Sequence, residues 1–193
     1  MKIFLTDQKN NLKKHLQYLL SVPVMSYEKA QMKKKETVID ISTPKRIDEL
    51  NLDFFFDYRI FPANIMTFLT QWHDEGRSIQ VGDTIVQQVY LPPLRSLSAK
   101  IVFGVRINEL IDEPKRKGFS YETLDGHVEQ GESTFTIEEV SGKLISKIET
   151  HSRPALLAAR LVGPIVTLPY QAFCTKKALE NIKDQIESHD PLQ

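Results

Sequence analysis

The sequence predicts an α+β fold in which a curved antiparallel sheet wraps around a long C-terminal helix. Three observations lead there. Between Gly82 and His151, segments with period-two patterning follow one another through short links, as hairpin-connected strands do. From Ile165 onward, Ile165, Leu168, Ala172, Thr175, Leu179, Ile182 and Ile186 recur by three and four, drawing one stripe along a helix. Ala and Thr at the centre of that stripe let a helix lie close over a sheet, whereas they would pack weakly in a coiled coil, the other explanation of the spacing.

The chain has 193 residues, 41% hydrophobic and 26% charged, which suits one domain or one domain with an arm. Its 25 basic side chains cancel its 25 acidic ones. No nucleic-acid partner is expected, because phosphate neutralisation needs a surplus of Lys and Arg on one surface. The single cysteine, Cys174, excludes an intramolecular disulfide and a cysteine-based zinc site, so the expected compartment is the cytosol. The Met1 to Val24 region breaks every apolar cluster with Asp, Gln, Asn or Lys, unlike a signal peptide, and nowhere do the ~20 successive apolar residues of a membrane-spanning helix occur. No transmembrane segment and no cofactor is expected.

Asn11 to Leu20 places Leu12, Leu16, Leu19 and Leu20 on one helical stripe, and Pro23 stops it. Residues 1–50 carry ten basic and six acidic side chains, leaving 15 and 19 for residues 51–193. The expected division is therefore a basic N-terminal helix and arm over 1–50 and the main domain over 51–193. The arm reads either as a docking helix for a partner or membrane surface, helped by Lys33, Lys34 and Lys35, or as a segment folded back onto the body.

Phe54 to Phe61 is rich in aromatic residues and predicts a strand, with Pro62 opening a helix whose apolar positions are Ile65, Met66, Leu69 and Trp72 and which ends at Gly76. Trp72 is expected in the core. Strands are expected over Gly82 to Leu91, Ala99 to Glu109, Gly118 to Leu124, Glu132 to Val140 and Lys143 to His151, with Ser141-Gly142 as a two-residue turn. No Gly-rich phosphate loop follows any of them. Pro164 and Pro169 favour two helical segments meeting near Gly163 over one rod.

A bent sheet around one helix is the helix-grip arrangement, and a single helix cannot fill a strongly coiled sheet completely. The leftover space is the usual character of a small-ligand site. The competing expectation is a fully packed interior, with Phe103, Phe119, Tyr121 and Phe135 occupying that space.

The stretch from Gly118 to Glu132 concentrates glycines and ionisable groups around one strand connection. Asp125, His127 and Glu129 stand at i, i+2 and i+4, so an extended backbone would point all three one way, as an acid/base cluster or, with His151, a metal site. Gly126 and Gly131 predict a bend instead, with His127 bonded to the backbone. Arg153 and Arg160 are seven apart and suit a shared helical face, either as an anion clamp or paired with Glu129 or Glu132. Cys174 lies beside Lys176 and Lys177 but in a helix interior, without the N-terminal dipole that best activates a thiol.

Through Gly118-Phe119, Tyr121, Thr123-Leu124, Gly126-His127, Glu129 and Gly131-Glu132, the sequence resembles the DUF1990 or UPF0548 family of uncharacterised proteins. Downstream matches are Ser152-Arg153-Pro154, Arg160-Leu161 and Gly163-Pro164, with Trp72 upstream. The likeness covers most of residues 54 to 185. Ser120 and Glu122 depart from the small residues expected beside Tyr121. The resemblance implies a fold similar to the START and Bet v 1 (SRPBCC) superfamily and implies no activity.

The expected function is that of a helix-grip protein binding a small apolar or lipid-like molecule between sheet and C-terminal helix. Its candidate ligand contacts are Tyr121, Thr123, His127, Glu129, Arg153 and Arg160. The alternatives are an enzyme using His127 and Glu129 as acid and base in that cavity, and an interaction module docking through its N-terminal helix.

Overall fold

The computed structural model describes residues 2–92, 98–155 and 167–188. Among these, eight strands make one antiparallel sheet: β1 (Lys2–Phe4), β2 (Lys33–Ile41), β3 (Met66–Thr70), β4 (Thr84–Leu91), β5 (Ala99–Glu113), β6 (Arg116–Thr123), β7 (Glu129–Val140) and β8 (Lys143–Pro154). The helices are α1 (Leu12–Leu19), α2 (Asp53–Phe56), α3 (Gln71–Glu75) and α4 (Thr167–Ser188). The strand order is β2-β8-β7-β6-β5-β4-β3, so β3 to β8 pair with their sequence neighbours, and β4 to β8 form the expected meander. Ser141 and Gly142 join β7 to β8 with φ of 52° and 76°, the left-handed pair that a tight hairpin turn of matching twist requires. β1 pairs with Lys100 to Val102 of β5, on the edge that β6 takes over from Val105 onward. The β5–β6 register shifts between Ile107 and Glu109, a bulge that bends the strand and helps turn the sheet into a bowl.

Helices pack on both faces of the bowl. On the convex face α1 sets Leu12, Leu16 and Leu19 against Val86, Val102 and Leu124. Arg106 Nη2 donates to the Leu19 and Leu20 carbonyls at 3.1 Å each, satisfying acceptors that the end of α1 leaves open. On the concave face α4 buries Ala178, Leu179, Ile182 and Ile186 in the main core. Asn181 donates to the Arg59 and Ile60 carbonyls, Gln185 to Arg59 and Lys183 to Asp40, which fixes the second half of the helix. The C-terminal stripe therefore packs on the sheet. Its first residue, Ile165, and the expected junction near Gly163 lie outside the described residues.

Two expected elements are corrected. Phe54 to Phe61 is no strand: Asp53–Phe56 is one helical turn, followed by a turn through Tyr58. Phe54, Phe55 and Tyr58 are buried, so the aromatic enrichment reports a place in the core rather than an extended backbone. The helix expected from Pro62 to Gly76 is instead β3 followed by α3. Pairing of Met66 to Thr70 with the edge of β4 overrides the helical spacing, and Thr70 Oγ1 caps α3 by accepting from the His73 backbone N–H at 3.3 Å. Trp72 is buried as expected, and α3 ends at Gly76.

The basic segment from Lys33 supplies β2, which pairs with β8 from Lys33↔Ser152 to Ile41↔Leu144 and forms one edge of the sheet. Its exposed lysines suit that position, since charge on an edge strand discourages pairing with another chain. Among the described residues no helix is long and apolar enough to cross a membrane.

Candidate functional site

Large side chains fill much of the bowl. Phe119 stacks on Phe135 with ring centroids 5.3 Å apart and planes at 19°, and Phe55, Phe56, Tyr58 and Phe61 gather around the pair. Under the first half of α4 the filling stops. A cavity of about 220 Å³ remains, walled among the described residues by Met66, Val89, Leu91, Ile101, Phe103, Tyr121, Phe135 and Ile148. Tyr170, Gln171, Cys174 and Thr175 of α4 cover it, and Gln87, His127, Glu129, Ser133 and Thr150 bring polar atoms to it. A larger groove of about 480 Å³ beside Lys9, Lys13, Arg59 and Phe68 lies at the surface, where water competes for every polar contact.

The polar groups are placed by strand periodicity. Glu129, Ser133 and Phe135 fall on the inward period of β7, and Tyr121↔Ser133 and Ser133↔Thr150 are direct cross-strand partners. The Ser133 and Thr150 hydroxyls are 3.3 Å apart. Gln87 Nε2 donates to the Tyr58 hydroxyl at 2.7 Å. Burial raises the pKa of the Tyr121 phenol, and the Glu129 charge adds to the effect.

His127 and Glu129 meet at the mouth of β7. Glu129 N–H donates to His127 Nδ1 at 3.0 Å, and the Glu129 carbonyl lies 2.9 Å from the same nitrogen. Phe103 approaches the imidazole edge to face at 4.2 Å. Burial pushes His127 down to about 4, so the ring is neutral at physiological pH. Glu129 Oε2 accepts from Ser152 Oγ at 2.7 Å and from Gln171 Nε2 at 3.1 Å, tying β7 to β8 and to α4. Burial raises the Cys174 thiol to about 11, and the Tyr170 hydroxyl, also raised by burial, donates to the Tyr90 carbonyl.

Of the candidate contacts, Tyr121, His127 and Glu129 come together at the cavity. Thr123 sits apart: its Oγ1 accepts from Gly131 N–H at 3.1 Å and donates to the Gly131 carbonyl at 3.2 Å, stitching β6 to β7. Arg153 belongs to β8 rather than to a helix, and its Nε donates to Gln130 Oε1 at 2.8 Å. The helical face it was expected to share with Arg160 is therefore not formed by Arg153, and Arg160 lies outside the described residues. Asp125 is exposed in the turn at Gly126, whose φ is 83°, so the three-residue alignment with His127 and Glu129 fails as the glycines foretold. His151 faces Glu132 and Glu149 at 3.9 and 3.6 Å, with Tyr27 also on Glu132. Among the described residues no group of three or more His, Cys, Asp or Glu is arranged to hold a metal ion. Glu122 accepts from the Tyr27 hydroxyl at 2.9 Å, which accounts for a charge beside Tyr121.

Sequence reasoning missed Gln87, Ser133, Thr150 and Gln171. Their signal was a polar side chain on the inward period of an otherwise apolar strand, and, for Gln171, a polar residue one before the stripe position Ala172.

Solved structures resemble the chain at low identity. The hypothetical protein jhp0584 of Helicobacter pylori superposes with a TM-score of 0.57 at 5% identity, covering 86% of this chain and 98% of that one. The KanY protein (ms6282) gives 0.55 at 11% identity, covering 81% and 98%. A ginseng major latex-like protein 151 from Panax ginseng gives 0.47 at 14% identity, covering 80% and 97%. In sequence, a UPF0548 protein of Deinococcus radiodurans is 42% identical over 62 residues, 32% of this chain and 31% of that protein. The matched stretch thus spans about a third of that relative's length. The domain of unknown function DUF1990 matches residues 52–181, which contain α2, α3, β3 to β8 and the covering half of α4, and the chain belongs to the DUF1990 family.

Proposed function

We propose that the protein is a cytosolic binder of a small, largely apolar molecule, held in the cavity between the concave face of the sheet and the first half of α4. The observation that carries this reading is an apolar-walled void in an otherwise well-filled bowl, with polar atoms of β6, β7, β8 and α4 gathered on it. Native interiors are close-packed, because empty volume forfeits dispersion contacts, so space left beside polar groups suits an occupant.

Volume limits the ligand. A dry cavity of about 150 Å³ accommodates a benzene, so about 220 Å³ suits one ring with a short substituent or a short chain. A diacyl lipid or a sterol does not fit without displacing the Phe119 and Phe135 stack. The docking alternative is disfavoured by α1 itself, whose Leu12, Leu16 and Leu19 already lie on the sheet.

The test uses the neutral one-ring fluorophore 4-(dimethylamino)benzonitrile, whose emission rises in apolar surroundings. Saturable, one-to-one enhancement is expected, lost in Thr150→Phe, where the added ring occupies the void. Absence of enhancement in the folded wild-type protein overturns the reading.

A further inference from the structure

We propose that the molecule held in this cavity carries a protonated amine or amidinium group, which pairs with the carboxylate of Glu129. The proposal rests on the binding reading above and names the chemical class of its ligand.

Glu129 is only 6% exposed and is the one carboxylate among the described residues that line the cavity. Its backbone is pinned by the His127 ring and by pairing with Pro154, so the side chain stays on the inward face of β7. Both hydrogen bonds reach the same oxygen, Oε2, and both donors, the Ser152 hydroxyl and the Gln171 amide, are neutral. Oε1 has no partner among the described residues, and no Lys or Arg forms an ion pair with the group there. Neighbouring carboxylates are treated differently: Glu132 has Lys29, and Glu149 has Lys34. Arg153, paired in register with Gln130 next door, gives its Nε to that side chain instead.

No other described group around the cavity can supply the missing charge. His127 is neutral because of its burial, Tyr121, Tyr170 and Cys174 carry no positive form, and the remaining walls are apolar or uncharged. A carboxylate withdrawn from water is costly unless a cation meets it or it takes up a proton. A ligand ammonium answers that need. Aromatic residues, Phe103, Tyr121 and Phe135, line the same walls, and aromatic rings attract cations. A carboxylate ligand would place like charges together in a small volume.

The experiment compares three compounds with one apolar body, 3-phenylpropylamine, 3-phenylpropanol and 3-phenylpropanoate, as competitors of the neutral fluorophore at pH 7.5. The amine is expected to displace it about tenfold or more better than the alcohol, the range of one charge-assisted hydrogen bond, and the acid least well. Glu129→Gln should bring the amine to the level of the alcohol, the ratio of the two reporting the lost charge whatever change the cavity imposes on both. Equal displacement by amine and alcohol, tightest displacement by the acid, or an amine preference that survives Glu129→Gln overturns the proposal. If the variant does not fold, the wild-type ranking decides. Loss of fluorophore binding in the wild-type protein is a separate outcome, which removes the cavity reading and this proposal with it.

Discussion

His127 Nδ1 sits 3.0 Å from the backbone nitrogen of Glu129, so an imidazole closes the turn through Gly126 onto the first residue of β7. The Glu129 carbonyl stands 2.9 Å from the same nitrogen, so Nδ1 accepts from the N–H when it is bare and donates to the carbonyl when it is protonated. The ring is buried, and burial is what disfavours its charged form, against the pull of that carbonyl.

That arrangement makes stability depend on pH. Burial holds His127 at about 4 in the folded protein against 6.5 for a solvated imidazole, so between those limits the unfolded chain binds more protons. Stability contributed by this ring is complete above pH 6.5 and is lost as pH falls toward 4, about 3 kcal/mol over the window. Urea midpoints measured at pH 7 and pH 4.5 should differ, and His127→Gln should flatten the difference. His15 shifts the same way through partial burial, which is why the comparison between wild type and variant isolates His127. An unchanged slope in the variant places the pH dependence elsewhere.

A second consequence concerns Gly131, where β7 crosses close to β8. Its φ is +142°, and a Cβ there would stand 1.9 Å from the His151 carbonyl oxygen. Gly142 offers the control: φ is +76°, but nothing lies within 4 Å of an added Cβ. Gly142→Ala should cost about 1 kcal/mol, the strain of a left-handed residue with a side chain. Gly131→Ala must also push two paired strands apart and should lose several times as much, read as thermal midpoints of the two variants. Equal losses would mean that β7 relaxes freely at its start, and the placement of Glu129 would loosen with it.

Much of this architecture was legible because its signals are local. The strands from Gly82 onward announced themselves by alternation, and the Ser141-Gly142 turn by its chemistry. Where the reading failed, pairing decided. Met66 to Thr70 carries helical spacing, yet a free edge of β4 beside it makes it a strand. Phe54 to Phe61 reads as strand by composition, although what its rings seek is the Phe119 and Phe135 stack. Lys33 to Ile41 disguises an edge strand as a basic arm, since the charge that protects an edge also hides it. The site was half visible for a related reason: Tyr121, His127 and Glu129 lie in one conspicuous stretch, whereas Ser133, Thr150 and Gln171 meet only once three elements assemble.

The third prediction tests whether α1 is part of the folded body. Leu16 is 2% exposed against Val86, Val102 and Leu124. Leu16→Ala should cost about 2 to 4 kcal/mol, as truncations in well-packed cores do, in a single transition shared with the sheet. A near-neutral effect, or a separate early transition, would mean that α1 detaches readily and has its stripe available to a partner.

Cys174 supplies the fourth. Its thiol faces the cavity from α4, half-buried, and burial holds it at about 11, so at pH 8 only a small fraction is thiolate. Reaction with Ellman's reagent should run about a hundredfold slower than that of an exposed cysteine, from thiolate fraction alone. The rate carries a second message, because the reagent must enter the space the ligand takes. 3-Phenylpropylamine should slow labelling further, and about tenfold or more of it should be needed for the same effect in Glu129→Gln, where the ammonium has lost its partner. Fast labelling at pH 8 that no competitor affects would place the thiol at an open surface, and the first half of α4 could not then be the cover of a cavity.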